Sequence, residues 1–288
     1  MLPPFNNIRV TLPTVYAIGD IHGEFGTLLF HICQYNIGNC GIIACGDIGL
    51  GFYTEACHVK ELKDVNKKLK ERNIVLFLFR GNHDDPAYFN RETPFIALSN
   101  IKIIPDYTVI TATNQDDERE VVNILCVGGG ISVDRIDRKT RMKIAAKKYQ
   151  NFTGCSDETA WAKVRREYWE DENVIYDEQF LNDNLIDVTD LPIHCVCTHT
   201  CPSFIFPITK NGIAWFLNND GNLEHDLNEE RGAMDKLHQW LKTHNHPVEH
   251  WYYGHFHMHN NESKDGIQFH LIDMVRPQGL DFGRIMGY

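Results

Sequence analysis

The chain has 288 residues and 43% hydrophobic content, enough for one sizeable buried core, which argues against a disordered protein. Its formal net charge of −11 argues against binding to duplex nucleic acid or to an anionic membrane surface, since both would repel it. A phosphate-containing substrate is not excluded, because bound cations can reverse the sign of the charge locally.

Cysteine usage and the N-terminal residues indicate the compartment. The nine cysteines are odd in number and scattered, which favours reduced thiols and a cytoplasmic location. Cys195 and Cys197 alternate along a predicted strand and are interpreted as small buried apolar residues, not as a redox pair. Residues 1–10 lack a cationic start and a long apolar run, so no secretory signal is predicted. No uncharged run approaches membrane-spanning length.

The first third of the chain alternates short apolar runs with helical periodicity. Strands are predicted at residues 15–18, 41–45 and 74–79. The apolar positions of the two intervening helices are Phe25, Leu28, Leu29 and Ile32 in the first and Leu62, Val65 and Leu69 in the second. This order predicts parallel strands with right-handed crossovers. Because the apolar runs do not alternate with polar residues, the sheet should be buried on both faces.

The remainder of the chain is richer in strands. The predicted strands are residues 107–112, 121–127, 193–198, 251–254 and 267–272. Residues 131–190 are interpreted as a helical insertion over one end of the sheets within a single domain of residues 1–288. Trp161, Val164 and Tyr168 predict a helix within that insertion, and a late helix carries Met234, Leu237 and Leu241 on one face.

Residue types that ligate metals follow five of the predicted strands. The five groups are Asp20-Ile21-His22, Gly46-Asp47, Gly81-Asn82-His83-Asp84, Thr198-His199 and Gly254-His255-Phe256-His257. Parallel sheets bind ligands at the carboxyl ends of their strands. In extended backbone, residues two positions apart point to the same side, so both members of an Asp-x-His or His-x-His pair can face one ion.

This mixture of carboxylate, imidazole and amide groups suits divalent Mn, Fe or Zn. No cysteine joins the set, which excludes a thiolate-type structural zinc site. Each element alone is weak evidence, since the chain has 15 histidines and pairs such as His244 and His246 are expected by accident. Five such elements in series, each after a buried-type strand, favour a metal centre.

In this order the motifs resemble those of the calcineurin-like metallophosphoesterases, and they extend from Gly19 to His257. The resemblance implies an α/β, four-layer sandwich of two mixed β-sheets flanked by helices, with a centre of two divalent metal ions at one edge. It also implies a ligand set for each ion: Asp20, His22 and His257 for one, Asn82, His199 and His255 for the other, and Asp47 bridging both.

The same resemblance places His83 beside the metals without ligating them, with Asp84 orienting or polarising it. Two adjacent cations bind a phosphate oxygen and acidify a shared water, which gives a hydroxide that attacks a phosphate mono- or diester. His83 is the expected general acid for the leaving alkoxide. Asp84 is expected to raise the pKa of His83. An equal alternative is that Asp84 is only a turn residue before Pro86.

The motifs also depart from those of better-defined relatives. The first motif is similar to that of protein serine/threonine phosphatases and dinucleoside-polyphosphate hydrolases, which hold phosphate with an Arg after the second Gly-Asp. Residues 46–51 contain no Arg, and Asp84 stands where Glu is usual. Those activities are therefore alternatives to a phosphomonoesterase or phosphodiesterase acting on a small or nucleotide-like substrate. A non-catalytic scaffold is disfavoured by the intact ligand set.

The insertion is expected to replace the missing phosphate-binding Arg. Residues 128–135 are similar to a Gly-Gly-x-x-Ser-Val-Asp-Lys/Arg stretch of small bacterial and phage metallophosphoesterases, or are a glycine turn at the lip of the site. Arg135, Arg138 and Arg141 follow at helical spacing. Arg135, or failing that Arg138, is expected to reach the phosphate, the alternative being a solvated basic face.

Overall fold

The computed structural model describes residues 4–90, 95–208 and 213–287. The strands in these ranges are β1 (Asn7–Leu12), β2 (Val15–Ile18), β3 (Cys40–Ala44), β4 (Ile74–Leu78), β5 (Ile101–Ile103), β6 (Thr108–Asn114), β7 (Val121–Val127), β8 (Cys195–Thr198), β9 (His250–Tyr253), β10 (Asn260–Lys264), β11 (Ile267–Leu271) and β12 (Phe282–Met286). The helices are α1 (Phe25–Gln34), α2 (Glu55–Glu71), α3 (Arg135–Thr153), α4 (Asp157–Trp161), α5 (Glu178–Leu185), α6 (Ile213–Asn219) and α7 (Leu223–Thr243). No helix in these ranges has the length and apolarity needed to cross a membrane.

The strands form two mixed sheets. In the described residues, one sheet has seven strands in the order β1-β6-β7-β8-β9-β11-β10, and the other has five in the order β12-β2-β3-β4-β5. The parallel pairing predicted for β2, β3 and β4 is confirmed. Strands β7, β8 and β9 are also parallel to one another. Each sheet therefore presents a row of strand carboxyl ends at one edge.

Alternating side chains of the inner strands fill the space between the sheets. In β8, Cys195 and Cys197 belong to the inter-sheet core, whereas Val196 packs with the cluster on the other face of the sheet. Both cysteines are buried free thiols, as predicted. Because successive side chains of a strand point to opposite faces, an apolar run without alternation serves two cores.

Helices cover the outer faces of both sheets and complete the predicted four layers. On the five-stranded sheet, the predicted apolar face of α2 is buried in the same core cluster as Leu28 and Ile32 of α1. On the seven-stranded sheet, α7 buries Met234, Leu237 and Leu241, as its spacing predicts. Each sheet is thus covered by helices on its outer face and by the other sheet on its inner face.

The insertion contains helices α3 to α5. Helix α3 buries only Ala146, so its position depends on polar contacts. The predicted helix through Trp161, Val164 and Tyr168 is wrong, because α4 ends at Trp161. Tertiary hydrogen bonds fix the following backbone in an irregular path: the Arg166 amide donates to the Phe52 carbonyl, and the Gly130 amide donates to the Glu172 carbonyl. The division into one domain with an insertion stays a prediction.

Candidate functional site

The five motif loops meet where the carboxyl ends of the two sheets converge. The loops after β2, β3 and β4 come from one sheet, and those after β8 and β9 come from the other. The structure brings all seven predicted ligands to this edge: Asp20, His22, Asp47, Asn82, His199, His255 and His257. Five of them are buried, whereas His22 is partly exposed and the side chain of His257 is 39% exposed.

One group of ligand atoms, the first cluster, comprises Asp20, His22, His257 and one oxygen of Asp47. Their ligand atoms all lie within 4.8 Å of one another. The Nε2 atoms of His22 and His257 are 3.0 Å apart, and the Nε2 of His257 is 3.0 Å from Oδ2 of Asp20. The Oδ2 of Asp47 is 3.8 Å from Nε2 of His22.

The second cluster comprises Asn82, His199, His255 and the other oxygen of Asp47. The Oδ1 of Asn82 is 2.8 Å from both Nε2 of His199 and Nδ1 of His255. The Nε2 of His199 is 3.3 Å from Oδ1 of Asp47. The two oxygens of Asp47 therefore face different clusters, and Asp47 lies between them.

The donor set fits divalent cations. Metal–nitrogen bonds of about 2 Å place neighbouring ligand atoms about 3 Å apart. The distances given above, 2.8–3.8 Å, are close to that spacing. The buried Oδ2 of Asp20 has no hydrogen-bond partner within the described ranges, although it faces imidazole nitrogens. Burial opposes ionisation of Asp20 and Asp47, but the neighbouring imidazoles outweigh it and lower the pKa of both carboxyl groups. Imidazole with carboxylate suits Mn, Fe or Zn.

Four of these ligand residues hold a backbone conformation that is uncommon for residues other than glycine. The φ angles are 51° for His22, 48° for Asp47, 68° for His255 and 53° for His257. Such conformations cost about 1–3 kcal/mol each and persist only where the surroundings impose them. At Gly81 and Gly254, an added Cβ would collide with the carboxylates of Asp47 and Asp20. The glycines of the motifs thus let these strand ends approach the ligands.

Main-chain groups orient several ligands. The amide of His255 donates to Oδ1 of Asp20 at 3.0 Å, and the amide of His83 donates to Oδ1 of Asp47 at 2.7 Å. The Nδ1 of His199 lies 2.7 Å from the Cys45 carbonyl and donates to it, which leaves the lone pair of Nε2 facing the second cluster. Hydrogen bonds with the main chain therefore fix the orientation of these ligand side chains.

His83 lies at the edge of the clusters and does not join either. Its Nε2 is 3.9 Å from Oδ2 of Asp47, and its Nδ1 donates to the Glu167 carbonyl at 3.1 Å. Burial lowers the pKa of His83 to about 3, with Asp47 opposing the shift and Arg138 adding to it. The expectation of a raised pKa is therefore wrong for the protein alone, and the negative charge of a bound phosphate would be needed to favour the imidazolium.

Asp84 makes contacts different from those expected. Its carboxylate accepts four main-chain amides at 2.7–3.0 Å, from Ile48, Gly49, Leu50 and Gly81. The expected orientation of His83 by Asp84 is corrected accordingly, since the Glu167 carbonyl binds the His83 ring instead. Asp84 fixes the loop that follows Asp47, which is closer to the alternative of a turn residue.

The three predicted arginines have different surroundings. Arg135, the first choice, is 2.5 Å from Asp220 and 2.6 Å from Asp226, and lies outside the described cavity lining. Arg138 lines the cavity in front of the clusters, and its Nε is 2.6 Å from Asp134. Arg141 is 60% exposed. Of the three, only Arg138 belongs to the described lining of the cavity.

Buried residues absent from the sequence interpretation support the second cluster. Nδ2 of Asn82 donates to Oγ of Ser132 at 2.8 Å, and that hydroxyl donates to Oε2 of Glu172 at 2.6 Å. Glu230 of α7 accepts the Ile131 amide at 2.6 Å. Arg80 donates to Asp106 and to the carbonyl of Glu172, which ties the insertion to the Asn82 loop. The similarity of residues 128–135 to a known stretch was the one signal for Ser132.

Comparison with known proteins extends these observations. The model of the calcineurin-like phosphoesterase family matches residues 13–259. Among solved structures, a dimetal phosphatase from Danio rerio is similar in fold, with 14% identity, a TM-score of 0.50, and coverage of 96% of this chain and 93% of that chain. A phosphopantetheinyl hydrolase from Mycobacterium tuberculosis has 14% identity, a TM-score of 0.40, and coverage of 92% and 91% respectively. Comparison with curated proteins gives no significant match.

At 14% sequence identity, the similarity to these solved structures shows the fold alone. The family model carries the assignment, because it spans most of the chain and includes every motif that supplies the two clusters. The chain belongs to the calcineurin-like phosphoesterase family and is a metal-dependent phosphohydrolase.

Proposed function

We propose that this chain hydrolyses phosphate mono- or diesters at a centre of two divalent cations, one at each cluster, with Asp47 shared between them. The observation that carries the proposal is that Oδ1 of Asp47 faces His199 at 3.3 Å whereas Oδ2 faces His22 at 3.8 Å. A carboxylate whose two oxygens face separate imidazole groups can bind two ions, whereas a single ion would use only one of these groups.

When bound, the cations would supply Lewis acidity toward the phosphate oxygens and toward a nucleophilic water molecule. The residues of the chain do the rest. Asp20 and Asp47 balance the cationic charge, and His199 offers a nitrogen whose tautomer is fixed by the Cys45 carbonyl. Mn, Fe and Zn all suit this donor set.

His83 and Arg138 act on the substrate. His83 lines the cavity, and its Nε2 is 3.9 Å from Oδ2 of Asp47; from there it donates a proton to the leaving alkoxide once a bound phosphate favours the imidazolium. Arg138 offers a guanidinium at the same cavity, where it pairs with Asp134 and reaches a phosphate oxygen. Asp84 contributes indirectly, by holding the loop that carries Asp47.

A hydrolysis screen tests this function. The metal-stripped protein, reloaded with Mn, is assayed with p-nitrophenyl phosphate, bis-p-nitrophenyl phosphate and a phosphopeptide. We expect metal-dependent release from one or both nitrophenyl esters and little from the phosphopeptide. Hydrolysis of the phosphopeptide alone would favour a protein phosphatase. Absence of release from all three, in protein shown to contain metal, would favour a non-catalytic scaffold.

A further inference from the structure

The cavity in front of the clusters has two unlike walls. Its volume is about 660 Å³, within the usual range of sites for small organic ligands and larger than a phosphate group needs. The polar part of its lining includes Asp47, Asn82, His83 and His257. The apolar part, called here the apolar wall, includes Val133, Phe206, Phe216, Phe256 and Met258.

The apolar wall is accessible to a ligand. Phe206 is 41% exposed and Met258 is 39% exposed, and both border the same cavity. Scattered apolar residues are ordinary on a protein surface, but several lining one cavity beside polar groups are typical of a binding site. The wall continues into a smaller cavity of about 190 Å³, which shares Pro207, His255 and Phe256 with the first and is lined further by Leu217 and Leu227.

The position of the wall restricts what it contacts. His255 and His257 of the clusters flank Phe256, and Val133 directly follows Ser132, which binds Asn82. A phosphate held at the clusters would therefore share its cavity with the apolar side chains. The part of the substrate that meets them is the group esterified to that phosphate.

We propose that the apolar wall is a subsite for an alkyl or aryl ester group, so that the preferred substrates are phosphate esters of apolar alcohols. This inference rests on the proposed function, which places the phosphate at the clusters. Each methylene buried against the wall should strengthen binding about three- to fourfold.

The experiment uses n-alkyl phosphates from ethyl to octyl with the Mn-loaded protein. Their leaving alcohols differ little in acidity, so the chemical step stays nearly constant while the buried apolar area grows. We expect kcat/KM to rise by at least tenfold from ethyl to hexyl phosphate and then to level off. Equal kcat/KM across the series would overturn the subsite.

Binding of n-alkylphosphonates, which are not hydrolysed, separates the subsite from the proposed function. Calorimetry with the Mn-loaded protein should show Kd falling with chain length. If neither the alkyl phosphates nor the two nitrophenyl esters were hydrolysed while the phosphonates bound with this dependence, the proposed function would fail and the subsite would stand. If every alkyl phosphate were hydrolysed but the Kd of the phosphonates did not depend on chain length, the proposed function would stand and the subsite would fail.

Two variants of the wall complete the test. Phe216→Ala on α6 and Met258→Ala should each lower the hexyl-to-ethyl ratio of kcat/KM about three- to tenfold, since both remove apolar area from the cavity. Phe30→Ala serves as the matched control, because Phe30 is a 59% exposed phenylalanine of α1 outside the cavity. If both wall variants fold and remain active but keep the wild-type hexyl-to-ethyl ratio of kcat/KM, the proposal would be overturned.

Discussion

The hydroxyl of Ser132 joins Asn82 to Glu172: it accepts from Nδ2 of Asn82 at 2.8 Å and donates to Glu172 at 2.6 Å. With Nδ2 committed to Ser132, the amide oxygen of Asn82 is directed at His199 and His255. A buried carboxylate of the insertion thereby orients a residue of the second cluster. Partners of this kind typically change metal affinity about 10- to 100-fold when removed.

Ser132→Ala tests this relationship. Without the hydroxyl, the Asn82 amide can rotate, so we expect Mn affinity at the second cluster to fall about 10- to 100-fold while the first cluster is little affected. Calorimetric Mn titration measures both. Glu172→Gln should act in the same direction, and Glu170→Gln is its control, since the side chain of Glu170 is 86% exposed. Unchanged Mn binding in Ser132→Ala would show that Asn82 does not need Ser132 to orient it, since its Nδ2 also lies 3.2 Å from Nε2 of His83.

Asp47 and Asp20 should differ in their effects on metal content. Asp47→Asn removes a charge that faces both clusters, so both ions should bind more weakly. Asp20→Asn should weaken mainly the first cluster, where His22 and His257 are its neighbours. Metal analysis and calorimetry distinguish the two patterns. Loss of a single ion in Asp47→Asn, with the other bound as in the wild type, would refute its shared position.

The loss of activity on replacing His83 should depend on the leaving group of the substrate. We expect His83→Gln to keep its metal content and to lower turnover of an alkyl phosphate by about 10²–10⁴-fold, the range for loss of a general acid. For p-nitrophenyl phosphate the loss should be much smaller, because p-nitrophenolate needs little protonation. A loss of equal size for both substrates would contradict proton donation, and loss of metal would make His83 a ligand.

The arginines of α3 should separate by function. Arg138→Ala should raise KM or lower kcat/KM by about tenfold or more, since a charge-assisted hydrogen bond to phosphate is lost. Arg135→Ala should instead lower the melting temperature, because Arg135 pairs with both Asp220 and Asp226, with kinetics near those of the wild type. Arg141→Ala is the exposed control. If only Arg135→Ala altered the kinetics, Arg135 would be the phosphate-binding arginine, as the sequence predicts.

The strands and ligand loops were predictable for a physical reason. Strands β2, β3 and β4 are buried on both faces, so each gives an uninterrupted apolar run that ends at a glycine beside ligand residues. The short strands β1, β5, β10 and β12 went unpredicted. All four lie at sheet edges, where a half-exposed pattern lacks that contrast.

Tertiary contacts explain the remaining differences. The spacing of Trp161, Val164 and Tyr168 is helical, but backbone hydrogen bonds to Phe52 and Gly130 override it in the irregular stretch after α4. Glu172 lies in that stretch, 40 positions from Ser132 in the sequence, and no local pattern relates the two. Likewise, only the positions of Asp220 and Asp226 reveal why Arg135 turns away from the cavity.

The central claim is that the two clusters hold one divalent cation each and that both are needed for ester hydrolysis. The most direct measurement titrates the metal-stripped protein with Mn and follows bound metal by elemental analysis and release of p-nitrophenol from p-nitrophenyl phosphate in the same samples. We predict saturation at two equivalents per chain, with activity rising as the second equivalent binds. Saturation at one equivalent with full activity would contradict the claim.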